Sequence, residues 1–402
     1  MKKLLSSLFV ISALLLSGIY LVGKMTESEI QKIFAKGEQQ AFSSKLLSYD
    51  RQFLKATAVS QISLMLEGDK PVVFRVKSTI RHYPYKASIT NQIRLLDPTL
   101  AEKVQGYFGT ENWISSTEEI SLLGKLTGQL HLLPGSYNNA GEQIATKALQ
   151  LDYQVNMQDY SGTFNLNWHG LDAQTRDGNL SVEAVRLNSD FASLPVANEY
   201  NYFAEIARVV IRQKNRQSQL QGVELQGSSR SGKQAATLDS SHEWKVATYR
   251  IDDGIENVFT DNHLKLDLKG LSAPALALLS RASGEQQLAK ALAELVAHGA
   301  QLSLTELTSQ TPWGEVNGEI DLTLQQGARL SEIMENPFML IDYGSGRASL
   351  FLPESLLQLP ELSDLLEIGL HSGFLKRQAQ TLSLETQFGQ GELTINGRVI
   401  PL

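Results

Sequence analysis

Thr163-Phe164-Asn165-Leu166-Asn167-Trp168-His169 alternates polar and apolar side chains without an error. Successive side chains of a strand point to opposite faces, so this run buries Phe164, Leu166 and Trp168 and shows amides and an imidazole to water. Asp177-Gly178 follows. Asp-Gly between alternating runs signals a tight hairpin, with the partner strand over 180–187.

The same period of two extends outward in both directions. Towards the N-terminus it appears at 56–66 (Ile62, Leu64, Leu66), at 72–82 (Phe74, Val76, Ile80 against Arg75, Lys77, Arg81), at 121–133 and at 148–158. Pro134-Gly135 and Asn138-Asn139 mark an exposed loop. Asp97 and Pro98 open a helix near 97–107. Residues 196–214 fit either a helix or a strand, the helix being preferred, and the basic run Arg208, Arg212, Lys214 and Arg216 reads as a solvated helix face rather than a basic binding patch. Further strands fall near 220–227, 242–252, 263–270, 301–309, 315–325, 346–352, 380–388 and 391–398. Helices fall near 274–298, with a break at Ser283-Gly284, and at 329–336 and 353–371. The expected class is α+β and β-dominated: an N-terminal transmembrane helix, then a long curved antiparallel sheet with several covering helices.

The N-terminus carries the membrane signal. Lys2 and Lys3 precede 19 uncharged residues, Leu4 to Val22, with Tyr20 suited to an interfacial belt. As a helix this run is about 28 Å long, close to a hydrocarbon core. A cleaved signal peptide has a shorter apolar region ending in a small-x-small site, which this run lacks. The domain reading is an anchor at 1–23, a juxtamembrane helix at 24–48, a first β-rich half at 49–200 and a second, with helices, at 201–402. The two halves are alternatively one elongated domain. Ile30, Ile33, Phe34, Phe42, Leu46 and Leu47 form the juxtamembrane stripe, and Thr26 with Glu29 has capping-box spacing.

Composition removes several chemistries. The chain of 402 residues has no cysteine, which excludes disulfides, thiolate metal sites and cysteine nucleophiles. Two of its 36 basic residues precede the anchor run, leaving 34 against 43 acidic ones, a net charge of −9. That argues against nucleic acid as a partner. Gly227 to Lys233 has the spacing of a phosphate-binding loop, but Gln234 stands where a Ser or Thr hydroxyl is needed. No two histidines lie within four residues of one another, and His169 and His263 read as solvated histidines on polar strand faces. Asp252-Asp253-Gly254 reads as a turn. No Gly-x-Ser-x-Gly elbow is present. The expectation is no enzyme, no catalytic residue, no cofactor and no metal. Trp168 and Trp313 are the candidate ligand or partner contacts, Trp313 alternatively a structural corner. Leu4, Tyr20 and Val22 define the membrane segment.

The Lys-Lys apolar anchor is followed in order by Tyr49-Asp50-Arg51-Gln52-Phe53, Thr311-Pro312-Trp313-Gly314-Glu315, Gly346-Arg347-Ala348-Ser349-Leu350 and Leu393-Thr394-Ile395-Asn396-Gly397. In that order these stretches resemble the YdgA-like family of bacterial envelope proteins, a family of unknown function. The resemblance implies an inner-membrane-anchored periplasmic protein and supplies no catalytic residue. Two binding functions follow as expectations: a non-catalytic envelope protein acting through a partner or a second copy of itself, or a carrier of lipid in an apolar β groove. An enzyme with an unusual site is the third.

Overall fold

Hairpin after hairpin, most strands pair with the next one along the chain, because short turns leave an antiparallel neighbour as the nearest partner. The computed structural model describes residues 2–35, 38–39, 42–65, 70–139, 141–192, 199–279, 284–296, 298–336, 339–389 and 391–400. The chain is β-dominated, with long antiparallel sheet and several helices. It divides into two units: residues 1–176 with 184–190, and 177–183 with 191–402.

In the first unit the strands lie in the order Phe42–Arg51, Lys55–Leu64, Val72–His82, Lys86–Leu95, Ile114–Ser121, Lys125–Leu132, Leu149–Asn156 and Gly162–Gln174. The hairpin Gly135–Asn139 with Glu142–Thr146 adds to the far end of Gly162–Gln174. The stretch expected as a loop after Pro134 is therefore partly strand. Its asparagines sit beside a tight turn and pair there without a buried face. Helix Pro98–Phe108 forms as expected, with Asp97 accepting from the N–H groups of Thr99 (2.9 Å) and Leu100 (3.1 Å).

The N-terminal helix runs unbroken from Lys2 to Ala35, and Phe42–Arg51 is a strand. The expected juxtamembrane helix over 24–48 is corrected on both counts. Thr26 caps nothing, because the helix is already formed before it and the N–H groups it would cap are paired. Glu29 instead accepts from Lys32 (2.7 Å). Val22 and Ile30 bury against Ala56, Ala58, Ile80, Ala87, Ile89 and Ile120. Among the described residues no helix is long and apolar enough to cross a membrane. The side chains of residues 1–11, Leu4 among them, lie outside those residues.

In the second unit the meander runs through Glu199–Gln213, Arg216–Ser231, Thr237–Asp252, Glu256–Ser272, Ala300–Thr311, Gly314–Leu324, Gly344–Pro353, Thr381–Gly389, Glu392–Ile395 and Arg398–Ile400. Where the sequence prefers a helix at 196–214, the described residues Glu199–Gln213 form a strand. Its Tyr200-x-Tyr202 and Val209-Val210-Ile211 are β-favouring residues, and pairing with 216–231 decides between two periods the sequence left close. Arg208, Arg212 and Arg216 belong to that hairpin, with Arg208 reaching Gln219 (3.1 Å) and Arg212 reaching Gln217 (2.8 Å). The expected helix over 274–298 is two pieces, Ala273–Leu279 and Glu285–Leu295.

Candidate apolar binding face

Register sorts the second unit into two unlike faces. One cross-strand row is Tyr202, Gly227, His242, Leu266, Leu304, Ile320 and Ala348. The next on the same face is Ala204, Leu225, Trp244, Leu264, Leu307, Gly318 and Leu350. Neither row carries an acidic, lysine or arginine side chain. Neighbouring strands lie about 4.8 Å apart, so each row runs roughly 29 Å over six steps.

On this face the strands from Ala300–Thr311 to Thr381–Gly389 are capped at both ends of the group. At one end Leu324, Val296, Ala328 and Ile333 form a core with Ala300, Leu322, Leu340 and Tyr343, so helices Glu285–Leu295, Leu330–Glu335 and Leu340–Tyr343 close it. At the other, Leu356, Leu366 and Leu382 pack with Leu352, Leu359 and Trp313 under helix Pro360–Ser372. Between the caps the rows are half-buried: Trp244, Leu264, Leu266 and Leu304 are intermediate in exposure, and Ile320 is 40% exposed. An apolar floor therefore lies between two walls.

The aromatic end of the floor is built around Gly227. A Cβ there would stand 2.5 Å from the Tyr202 ring and 2.6 Å from His242 Nδ1, so only glycine lets the two rings meet across it. The Tyr202 hydroxyl and His242 Nδ1 lie 3.1 Å apart, and His242 stacks on Trp244 at 5.8 Å. Burial pushes the His242 imidazole below its ordinary range, with Asp267 opposing more weakly. Burial thus disfavours the charged ring, in keeping with an apolar surface. Gly227 lies inside strand Arg216–Ser231, so the loop-like spacing up to Lys233 cradles no phosphate.

The opposite face of the same strands is charged. His263, expected as a solvated histidine, is clamped instead: Nε2 is 2.7 Å from Glu243 and Nδ1 2.6 Å from Glu306. Lys245 (2.6 Å) and Gln226 also bond Glu243. Lys245, then Gln226 and His263, hold the Glu243 carboxyl down to about 2. Further along, Arg347 bonds Asp321 (2.7 Å) beside a shallow cavity of about 400 Å³. No group of three or more potential ligands among the described residues could hold a metal.

Of the two predicted contact residues, Trp313 stands in the wall at one end of the floor and Trp168 lies off it. Trp313 turns the corner between Ala300–Thr311 and Gly314–Leu324, edge-on to Phe259 at 6.0 Å, and its carbonyl accepts from Ser355. It lines a cavity of about 530 Å³ with Pro353, Leu357 and Gln358. Trp168 belongs to the first unit, where its indole N–H donates to Thr146 (3.2 Å). Val22 faces the sheet with none of its surface exposed, and Tyr20 is half-exposed beneath the Arg51 guanidinium, 5.4 Å from the ring centre. Sequence reading missed the floor because its rows come from strands up to about 150 residues apart. The local trace was Leu264-x-Leu266-x-Leu268 and Trp244 at alternate positions.

The chain is thus β-dominated, with a meander in its second unit whose two faces differ in charge. The chain belongs to the family described as bacterial protein of unknown function (DUF945), whose model covers residues 1–402. This fits the resemblance to a YdgA-like family. No curated protein and no solved structure matches the chain significantly.

Proposed function

We propose that this is a non-catalytic envelope protein, tethered to the bacterial inner membrane by its N-terminal helix, whose second unit binds a lipid or other hydrophobic ligand. The observation that carries the ligand reading is the pair of uncharged rows left half-exposed between two helical caps. Each methylene transferred there from water contributes about 0.8 kcal/mol, so a chain of several carbons binds without any specific polar contact. An apolar stripe of this extent is large for a surface with no partner. The tether reading is supported by the uncharged residues that precede the helix's contact with the sheet at Gly18, among which Leu14, Leu15 and Leu16 are exposed, while Val22 at the end of the run is buried on the sheet. Lys2 and Lys3 before the run support an orientation with the helix N-terminus in the cytoplasm and the body in the periplasm.

The test is lipid extraction and mass spectrometry of the purified full-length protein, beside Trp244→Glu and Leu264→Glu. Stoichiometric lipid in the parent and its loss in both folded variants is the expected result. A parent free of lipid that also fails to take up a fluorescent fatty acid overturns the ligand reading. A C-terminal reporter active only in the cytosol overturns the tether.

A further inference from the structure

Three successive hairpins of the first unit turn at one end of its sheet. Their tips are Gln52-Phe53-Leu54, Tyr83-Pro84-Tyr85 and Leu122-Leu123-Gly124. Backbone bonds hold them side by side: the His82 N–H donates to Leu54 (2.9 Å) and the Leu122 N–H donates to Tyr85 (2.8 Å). Exposed turns are ordinarily built from small and polar residues. Here Phe53, Leu54, Tyr83, Tyr85, Leu122 and Leu123 all stand in solvent, Leu123 at 82% and Tyr85 at 64%.

Cations stand on both sides of the first two tips, Arg51 and Lys55, then Arg81 and Lys86, and on one side of the third, Lys125; of these Arg51 pairs with Glu27 (3.0 Å) and Lys86 with Glu119 (2.6 Å). The next tip at this end differs. Its Met157 is buried, and Gln158 and Asp159 are the exposed residues. The apolar character is therefore confined to the three hairpins nearest the N-terminal helix. That helix passes beside them. A Cβ on Gly18 would stand 2.4 Å from the Pro84 carbonyl, and one on Gly23 would stand 3.0 Å from His82. From Gly23 towards Ala35 the helix runs down the sheet, and before Gly18 it runs past the tips with Leu14, Leu15 and Leu16 exposed.

We propose that these three tips are a second membrane contact, lying in the headgroup layer of the phospholipid bilayer that holds the helix. The inference rests on the tether reading. Tyrosine and leucine at this depth leave water while the tyrosine hydroxyls stay wet, and lysine and arginine stems reach along the tips to place their charges on lipid phosphates. The close approach at Gly18 fixes the depth, because the apolar run of the helix and the apolar tips meet there. The strands then rise from the membrane surface, and the first unit is held at a set height rather than swinging on a hinge.

The chain has no cysteine, so single cysteines can be labelled without background. Leu14→Cys, Tyr85→Cys, Leu123→Cys and Asn138→Cys would each carry bimane in full-length protein, reconstituted in phosphatidylglycerol–phosphatidylethanolamine vesicles. Asn138 is exposed at the opposite end of the sheet. Doxyl-labelled lipid should cause a loss of emission at positions 14, 85 and 123 and none at 138, with aqueous iodide giving the reverse. Iodide quenching at 85 and 123 as strong as at 138, with position 14 still quenched by doxyl lipid, overturns the tip contact and leaves the tether standing. A position 14 label quenched by iodide overturns both.

Discussion

Gly128 shows how much one missing side chain can organise. It pairs across strands with Glu118 on one side and Tyr153 on the other. A Cβ there would stand 2.2 Å from the Tyr153 ring, so the phenol lies across the glycine and donates to Glu118 (2.9 Å). Ser116 (2.8 Å) and Asn91 (2.9 Å) also donate to that carboxylate, and burial, then Glu118, push the Tyr153 hydroxyl well above its ordinary range. Gly128→Val must expel the ring and break this network, at a cost of about 1–3 kcal/mol read from the urea midpoint. Gly106 is the contrasting case: it sits within helix Pro98–Phe108 with open space where a Cβ would go. Gly106→Ala should raise stability by about 0.5–1 kcal/mol in the same assay. Glu243 makes a pH prediction. Its folded value of about 2 lies below the ordinary 4.5, so its contribution is full above pH 4.5 and is lost as pH falls towards 2. Glu243→Gln should lose that part of the acid dependence, so its stability falls less steeply than the parent's over this window.

At the scale of elements, the N-terminal helix is docked by small and branched residues, and the docking leaves polar atoms stranded. Thr26 is fully buried, and its hydroxyl has no hydrogen-bond partner among the described residues. The Tyr49 hydroxyl and His82 Nε2 are in the same position. Burial, with the Glu27 charge adding, pushes the Tyr49 hydroxyl up to about 12. A buried, unsatisfied hydroxyl costs about 1–3 kcal/mol, whereas a methyl of the same shape does not. Thr26→Val should therefore stabilise the docked helix by about 1 kcal/mol, seen as slower amide exchange in Val22–Ile30. An unchanged exchange rate would mean that the hydroxyl is satisfied in solution.

For the molecule as a whole, the division of labour lies between the faces of the second unit's sheet. The charged face is satisfied internally by Glu243–His263–Glu306 and Asp321–Arg347. The apolar face is finished only at its ends. Trp244→Glu places a carboxylate in the middle of the floor without touching either cap. It should abolish uptake of a fluorescent fatty acid while leaving the far-ultraviolet circular dichroism of the sheet intact. A loss of sheet signal would instead assign Trp244 to the core.

Much of this architecture can be read from residue order alone. Alternation at Thr163–His169 and at 72–82 predicts strands that form, and Asp97-Pro98 predicts a helix start that forms, because each depends on neighbours within a few residues. The turn at Pro312-Trp313-Gly314 is legible for the same reason. Where two periods compete, as over 196–214, or where a run must choose between prolonging a helix and joining a sheet, as at Phe42–Arg51, strand pairing decides. The apolar floor and the clamp on His263 belong entirely to tertiary structure. Each gathers side chains from several strands into one row, and the register that aligns them depends on cross-strand hydrogen bonds rather than on any local pattern.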